Sequence, residues 1–298
     1  MKRTIVLFLL ACLLLSACGA QKQEPTNPTL KPVTVVPSEA TEHKVDPKDL
    51  SADPPYDFDV DTMVPSDFGD FFTTRYSCDV STYKLLPGDE YENEVTVIKG
   101  AEVGPTIYVI AGIHGDEEAA WQTGKLLKKI GIKAGTLYVL APANRWGAAK
   151  LPKSRFIDGK DGNRAFPGDP NGTNAQRVAN AIFTDVKAKS PDFVFDLHEA
   201  VVIEEGRDYL GSSLIFTDMD LFGDLYTDLY FATENGEICS MPFDCYSPGP
   251  KGSINNTIST KLKIPTLTVE TYRGYEMETR ISDQLDIVQY VMNYYGMV

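Results

Sequence analysis

The sequence predicts an α/β protein, a single domain built on a mixed, mostly parallel β-sheet with helices on both faces. From about residue 93 onward, short β-rich segments alternate with longer segments of helical periodicity. The strand-like segments are apolar in runs rather than in alternation, as strands covered on both faces are. Each helix-like segment carries apolar residues at helical spacing, a stripe that a sheet would bury.

In chain order the expected strands are Val95–Ile98, Thr106–Ala111, Thr136–Ala141, Phe193–Leu197, Leu214–Thr217 and Thr266–Val269. Between them the spacing predicts helices over Glu117–Ile130, Ala175–Lys189 and Leu221–Thr233. A last helix, Ile281–Tyr295, places Ile281, Leu285, Val288, Val291, Met292 and Tyr295 on one face. These are core positions, and no chemistry is assigned to them. Neither an internal repeat nor a transmembrane span is read, and the domain at 57–298 is long enough to bury a substantial core.

Residues 1–17 read as an export signal. Lys2 and Arg3 give a positive start, Ile5 to Leu15 an apolar run too short to span a bilayer, and Leu15-Ser16-Ala17-Cys18 a small-residue cleavage site. A Cys in that position resembles the bacterial lipobox, which implies lipidation of Cys18 and an extracytoplasmic, membrane-anchored protein. Residues 18–56 are rich in Pro, Thr, Glu, Lys and Asp and poor in aromatics, the composition of a tether with a reach of roughly 35 Å. A Cys18→Ser variant should therefore leave the membrane fraction while folding normally. Persistence in washed membranes would overturn the anchor.

The chain has a formal charge of −14, and removing residues 1–17 takes away two positive charges and no negative ones. Nucleic acid is excluded as a partner, since phosphate binding asks for a basic face. The acidity is dispersed and reads as a solvated surface. Of five Cys, Cys12 lies in the signal and Cys18 at the anchor site, leaving Cys78, Cys239 and Cys245. An exported domain permits a Cys239–Cys245 disulfide, but spacing alone does not decide it.

Only three His occur, His43 in the tether and His114 and His198 in the domain. Thr106-Ile-Tyr-Val-Ile-Ala-Gly-Ile-His114 and Phe193-Val-Phe-Asp-Leu-His198 both put a His just past a strand's carboxyl end, where open α/β sheets bind ligands. A carboxylate from His114-Gly-Asp-Glu117-Glu would complete a two-His, one-carboxylate set for catalytic zinc. Glu117 is offered, with Asp116 and Glu118 as competitors that also suit the first turn of a helix. Asp196 is expected on the opposite side of the strand from His198, outside the site unless the strand ends there.

Glu270 ends the apolar run Pro265-Thr-Leu-Thr-Val and needs a reason to sit there, because unpaired charge in apolar surroundings is costly. Beside a zinc-activated water it has one: it can take a proton and pass it to a leaving amine. Basic residues cluster in the Gly-rich stretch that includes Arg155, Asn163 and Arg164, which suits an anionic substrate.

The order His-x-x-Glu, Arg, Asn-Arg, His, Tyr, Glu resembles the zinc metallocarboxypeptidase superfamily, over roughly residues 94–298. Gly112-Ile-His114-Gly-Asp-Glu117, Arg155-Phe-Ile-Asp and Asn163-Arg164-Ala-Phe-Pro-Gly168 are similar to its succinylglutamate desuccinylase/aspartoacylase branch. Tyr246, Gly252-Ser-Ile254 and Glu270 are similar to the carboxypeptidase side. The resemblance implies a zinc carboxypeptidase-like fold, Zn2+ as cofactor and His114, Glu117 and His198 as its ligands. It also implies Glu270 as general base and Arg155 as the electrophile on the scissile carbonyl. Asn163 and Arg164 become the clamp on a substrate carboxylate, Tyr246 a substrate-closing hydroxyl, and Ile254 a residue of the side-chain pocket.

An export signal and only 28 residues after Glu270 favour an extracytoplasmic carboxypeptidase-like peptidase over a deacylase of N-acyl amino acids. Both would act on a substrate bearing a free carboxylate. A lipid-anchored binding protein without turnover is the reading from another class. Glu270 together with two Arg candidates weighs against it, since a pure binder needs no proton shuttle.

Overall fold

A computed structural model describes residues 58–200 and 210–298. The expectations for residues 1–17, 18–56 and Cys18 lie outside the described residues. Among the described residues there are eight strands: β1 (Asp79–Leu85), β2 (Asn93–Lys99), β3 (Glu102–Ala111), β4 (Ala134–Leu140), β5 (Phe193–Ala200), β6 (Ser213–Ile215), β7 (Asp244–Tyr246) and β8 (Thr266–Tyr272). The helices are α1 (Glu118–Leu127), a single turn α2 (Arg145–Ala148), α3 (Asn174–Lys189), α4 (Leu225–Glu234), α5 (Ile254–Leu262) and α6 (Met277–Tyr294).

The strands form one sheet in the order β1-β2-β4-β3-β5-β8-β6-β7. Its centre, β4-β3-β5-β8, is parallel, while β1, β2 and the β6–β8 pairing are antiparallel. The mixed, mostly parallel sheet expected from the sequence is thus present. β5 is buried at every position, which is why Phe193-Val-Phe-Asp-Leu reads as a continuous run.

Two cores lie on the two faces. On one, Leu126 and Leu127 of α1, Leu229 of α4 and Leu285 and Val288 of α6 pack against Val109, Phe195, Leu197 and Val269. On the other, Val178, Ile182 and Val186 of α3 and Ile254 and Ile258 of α5 pack against Tyr108, Ile110 and Val194. Each fully buried aliphatic side chain contributes about 1.5–3 kcal/mol of transfer free energy.

Helix ends follow local chemistry. Thr173 and Gln176 cap α3 reciprocally, Gln176 N–H donating to Thr173 Oγ1 (3.4 Å) and Thr173 N–H to Gln176 Oε1 (2.9 Å). Ser253 Oγ accepts the Asn256 N–H at 3.0 Å to start α5.

Several expectations are corrected. The last helix begins at Met277, not Ile281, and the third at Leu225, not Leu221. β5 and β8 run past Leu197 and Val269, so His198 and Glu270 lie inside strands rather than beyond them. The structure adds β1, β7, α2 and α5. On the pairing that spacing left open, Cys78, Cys239 and Cys245 are free thiols, with no disulfide between Cys239 and Cys245.

Candidate active site

Two glycines shape the turn that carries His114. Gly112, directly after β3, has φ +73°, and a Cβ there would lie 2.7 Å from Trp121 Cβ. Gly115 abuts the Gly147–Ala148 backbone, where a Cβ would come within 2.5 Å of two backbone atoms. The turn is pinned by Ala143 N–H donating to Ala111 O (2.8 Å) and Asn144 N–H to Gly112 O (2.9 Å). His114 is thereby held over the start of α1, whose N-cap is Glu117.

On the sheet, His198 of β5 and Glu270 of β8 are register partners. Paired positions on neighbouring strands lie roughly 4.7–4.9 Å apart and share a face. The base expected from the sequence therefore stands directly beside an expected ligand.

The centre is a His–Glu–His cluster. His114 Nδ1 lies 2.7 Å from Glu117 Oε1, and His198 Nδ1 lies 2.7 Å from Glu117 Oε2. The outer ring nitrogens also face carboxylates: His114 Nε2 is 3.0 Å from Asp161 Oδ1, and His198 Nε2 is 2.9 Å from Asp196 Oδ1. A neutral imidazole donates through one nitrogen and offers a lone pair on the other. With a metal ion held, Asp161 and Asp196 would accept from Nε2–H and leave Nδ1 of both rings as the ligand atoms; without one, both nitrogens of each ring face a carboxylate, which favours the protonated form.

These contacts correct the expectation for Asp196. Residues two apart on a strand share a face, so Asp196 points to the same side as His198, and it does so within a continuing β5. Thr268 Oγ1 donates to its other oxygen at 3.0 Å. Asp161 lies in the Gly-rich stretch between Arg155 and Asn163, and no local pattern links it to a His 47 residues away.

The competition among the three acids after His114 is resolved by direction. Asp116 Oδ2 accepts from Arg273 Nη1 at 3.3 Å and Glu118 pairs with Lys153 at 3.1 Å, while Glu117 alone reaches both His rings.

Charge in the cluster is tightly matched. Burial works against ionisation of Glu117, yet the His114, His198 and Arg155 charges hold it well below the usual carboxylate range. Burial likewise opposes charge on the imidazoles. The carboxylates outweigh it and raise His114, and more strongly His198. Asp161 is lowered to about 2: burial opposes this, and the His114 hydrogen bond and charge prevail. Glu270 is pushed up to about 7, first by burial and then by the Glu117 and Asp196 charges, with His198 and His114 pulling the other way.

The residues fit a zinc ion. His114, Glu117 and His198 each offer a ligand atom, these atoms lie within 4.8 Å of one another, and all three side chains are buried. Two nitrogens and one carboxylate form the set that catalytic zinc takes, and both His already have the outer-shell acceptors such ligands use.

The remaining expected residues fall in different places. Arg155 is half-exposed at the cluster, its Nη1 donating to Glu117 Oε1 at 2.6 Å. Burial opposes its charge, but the Glu117 and Asp116 carboxylates keep it firmly protonated. Asn163 is buried in the floor, with Nδ2 3.2 Å from His198 Nε2 and Oδ1 accepting the Ile254 N–H at 2.8 Å. Exposed Arg164 donates through Nη1 to Asn163 O at 2.8 Å. Ile254 does not line a pocket: its side chain is fully buried in the core under α5, and its backbone N–H fixes Asn163. Tyr246 sits on edge strand β7, in register with Ile215 and through it Thr268, about 10 Å of sheet from β8.

The mixed, mostly parallel sheet with helices on both faces is an α/β fold that matches aspartoacylase and zinc carboxypeptidase-like structures. Residues 103–205 match the family model for the succinylglutamate desuccinylase/aspartoacylase catalytic domain, so the resemblance read from the sequence holds. The N-alpha-acetyl-L-2,4-diaminobutyric acid deacetylase of Halomonas elongata is 35% identical over 107 residues, which is 35% of this chain and 31% of that protein. The chain thus matches under a third of that relative's length.

Among solved structures, an aspartoacylase family protein of Mesorhizobium loti is 18% identical with TM-score 0.54, covering 76% of this chain and 69% of that one. A protein of Shewanella denitrificans described as a candidate metallopeptidase is 15% identical with TM-score 0.55, covering 73% and 84%. At these identities the likeness is one of fold.

Proposed function

We propose that this chain is a zinc-dependent amidohydrolase that removes the acyl group from an N-acyl amino acid or a related acylated amine. One observation carries the proposal: the stretch matching the desuccinylase/aspartoacylase catalytic domain contains His114, Glu117, Arg155, Asp161, Asn163 and His198. The deacetylase likeness supports the same substrate class. This reverses the order read from the sequence, in which a peptidase led. Export and anchoring through Cys18 belong to the proposal on the sequence reading alone.

What zinc supplies when held by His114, Glu117 and His198 is Lewis acidity and a lowered pKa for water. Asp161 and Asp196 orient the two imidazoles. Glu270, beside His198, takes a proton from the attacking water and delivers it to the departing amine nitrogen. Arg155, beside Glu117, polarises the amide carbonyl and stabilises the charge that develops on its oxygen, a role carried by the family resemblance. Arg164 meets the substrate carboxylate, while Asn163, tied to Ile254 N, holds that loop against His198.

The deciding experiment is a mass-spectrometric screen of the zinc-loaded protein against N-acyl amino acids and short peptides side by side. Release of acid and free amine from the acylated set is expected. Cleavage of peptides alone would replace the proposal with the peptidase reading, and no turnover of either would return it to a binding protein. Within the active set, Arg164→Ala should raise KM more than it lowers kcat, because a carboxylate clamp acts on binding. An unchanged KM would remove Arg164 from the substrate site.

A further inference from the structure

Beneath the ligands, on the face of β5 opposite His198, lies a buried ion pair that the chemistry above does not use. Glu199 and Arg280 have side chains with 0% exposure, and Arg280 Nη1 donates to Glu199 Oε1. The other carboxylate oxygen accepts the Ala119 N–H at 2.9 Å, in the first turn of α1. The backbone N–H of Glu199 itself donates to Glu117 Oε2 at 3.2 Å. One turn further along α6, Gln284 Nε2 donates to His198 O (2.9 Å) and Thr271 Oγ1 (3.0 Å).

Apart from Arg280, Gln284 and Asp283, the last of which is taken up by Ser240, the buried side chains of α6 are apolar, among them Met277, Ile281, Leu285 and Val288. Packing alone does not call for Arg and Gln there. A buried ion pair contributes little net stability compared with apolar residues of the same volume, and a buried amide needs partners. Arg280 and Gln284 stand at i and i+4, side by side on one helix face. One reaches the start of α1 through Glu199, and the other grips the backbone of β5. Those two elements carry Glu117 and His198. The Ala119 N–H has no partner within its own helix, and a carboxylate at a helix N-terminus is favoured by the dipole, so Glu199 fixes where α1 begins.

We propose that Glu199, Arg280 and Gln284 are positioning residues that hold Glu117 and His198 at the separation a zinc ion requires. The inference deepens the proposed zinc site and rests on it. Glu199 needs both oxygens for this, one for Ala119 and one for Arg280. An amide of the same size has only one oxygen, and its NH2 group would confront a donor.

The test uses the full-length protein in detergent, with zinc affinity measured by chelator competition and unfolding followed on the metal-free form. Glu199→Gln should raise the zinc Kd by about 10–100-fold, the usual cost of disturbing groups that support metal ligands. Gln284→Met, which buries no charge, should move it in the same direction. A Glu199→Leu/Arg280→Met double variant removes both charges at similar volume, so it should fold and still bind zinc weakly. A merely structural role would lower the unfolding temperature of the metal-free protein and leave the Kd of the folded variants unmoved. Folded variants with Kd within about threefold of wild type would overturn the inference while leaving the zinc site standing. Failure of the wild-type protein to bind zinc would overturn the zinc site itself, and this inference with it.

Discussion

A His114→Ala/His198→Ala double variant is expected to retain no stoichiometric zinc. Each substitution removes one of three buried ligand atoms, and Glu117 alone offers a single carboxylate that Arg155 already engages. Disturbing an outer-shell partner of a metal ligand costs about 10–100-fold in affinity, so losing two inner ligands costs far more. The effect on folding should be smaller. Asp161 keeps the Asn163 N–H at 2.8 Å, Asp196 keeps Thr268, and Glu117 keeps Arg155 and the Glu199 N–H. Metal analysis of the purified variant, with circular dichroism to establish that it is folded, checks the expectation. Full zinc content in a folded double variant would place the metal elsewhere.

Glu270→Gln should keep zinc and substrate binding and lose turnover. The amide preserves size and hydrogen-bonding reach beside His198 but has no basic lone pair for the proton of the attacking water. Its effect therefore falls on the transition state rather than on binding. General-base catalysis contributes about 10²–10⁴ in rate, so kcat should drop by that factor while KM changes little. The position of Glu270 in the fold supports the assignment: it shares a register row with His198, and burial raises its carboxyl above the usual carboxylate range. A variant retaining more than about a tenth of the wild-type kcat would show that Glu270 is not the base. Asp116 and Glu118, which the structure directs to Arg273 and Lys153, would then have to be reconsidered.

Much of this molecule was legible in its sequence. The central strands declared themselves because strands covered on both faces must be apolar throughout, and that requirement is local. His114, His198 and Glu270 were legible for a related reason: each is a polar residue at the end of an apolar run, and such a residue needs a function or a partner. Glu117 followed from a spacing of three residues after His114. What stayed hidden was amphipathic or short. β1 is exposed along most of its length, β7 spans three residues, and α5 is built largely from Asn, Thr and Ser, whose helix propensity is low. α6 was read four residues short at its start, which removed Arg280 from view.

The sequence by itself determined the layered α/β sheet and the places of the two imidazoles and the Glu270 carboxylate, since periodicity and strand ends are written into neighbouring residues. Only the tertiary structure decided which atoms face inward, and with them the outer shell of the site. Asp161 meets His114 across 47 residues, Glu199 meets Ala119 across 80, and Gln284 reaches His198 across 86. Contacts between residues so far apart leave no period in the chain. They exist because β3, β5 and β8 lie side by side in the sheet and α1 and α6 pack on the same face of it, and the buried polar groups brought together there must find partners in one another.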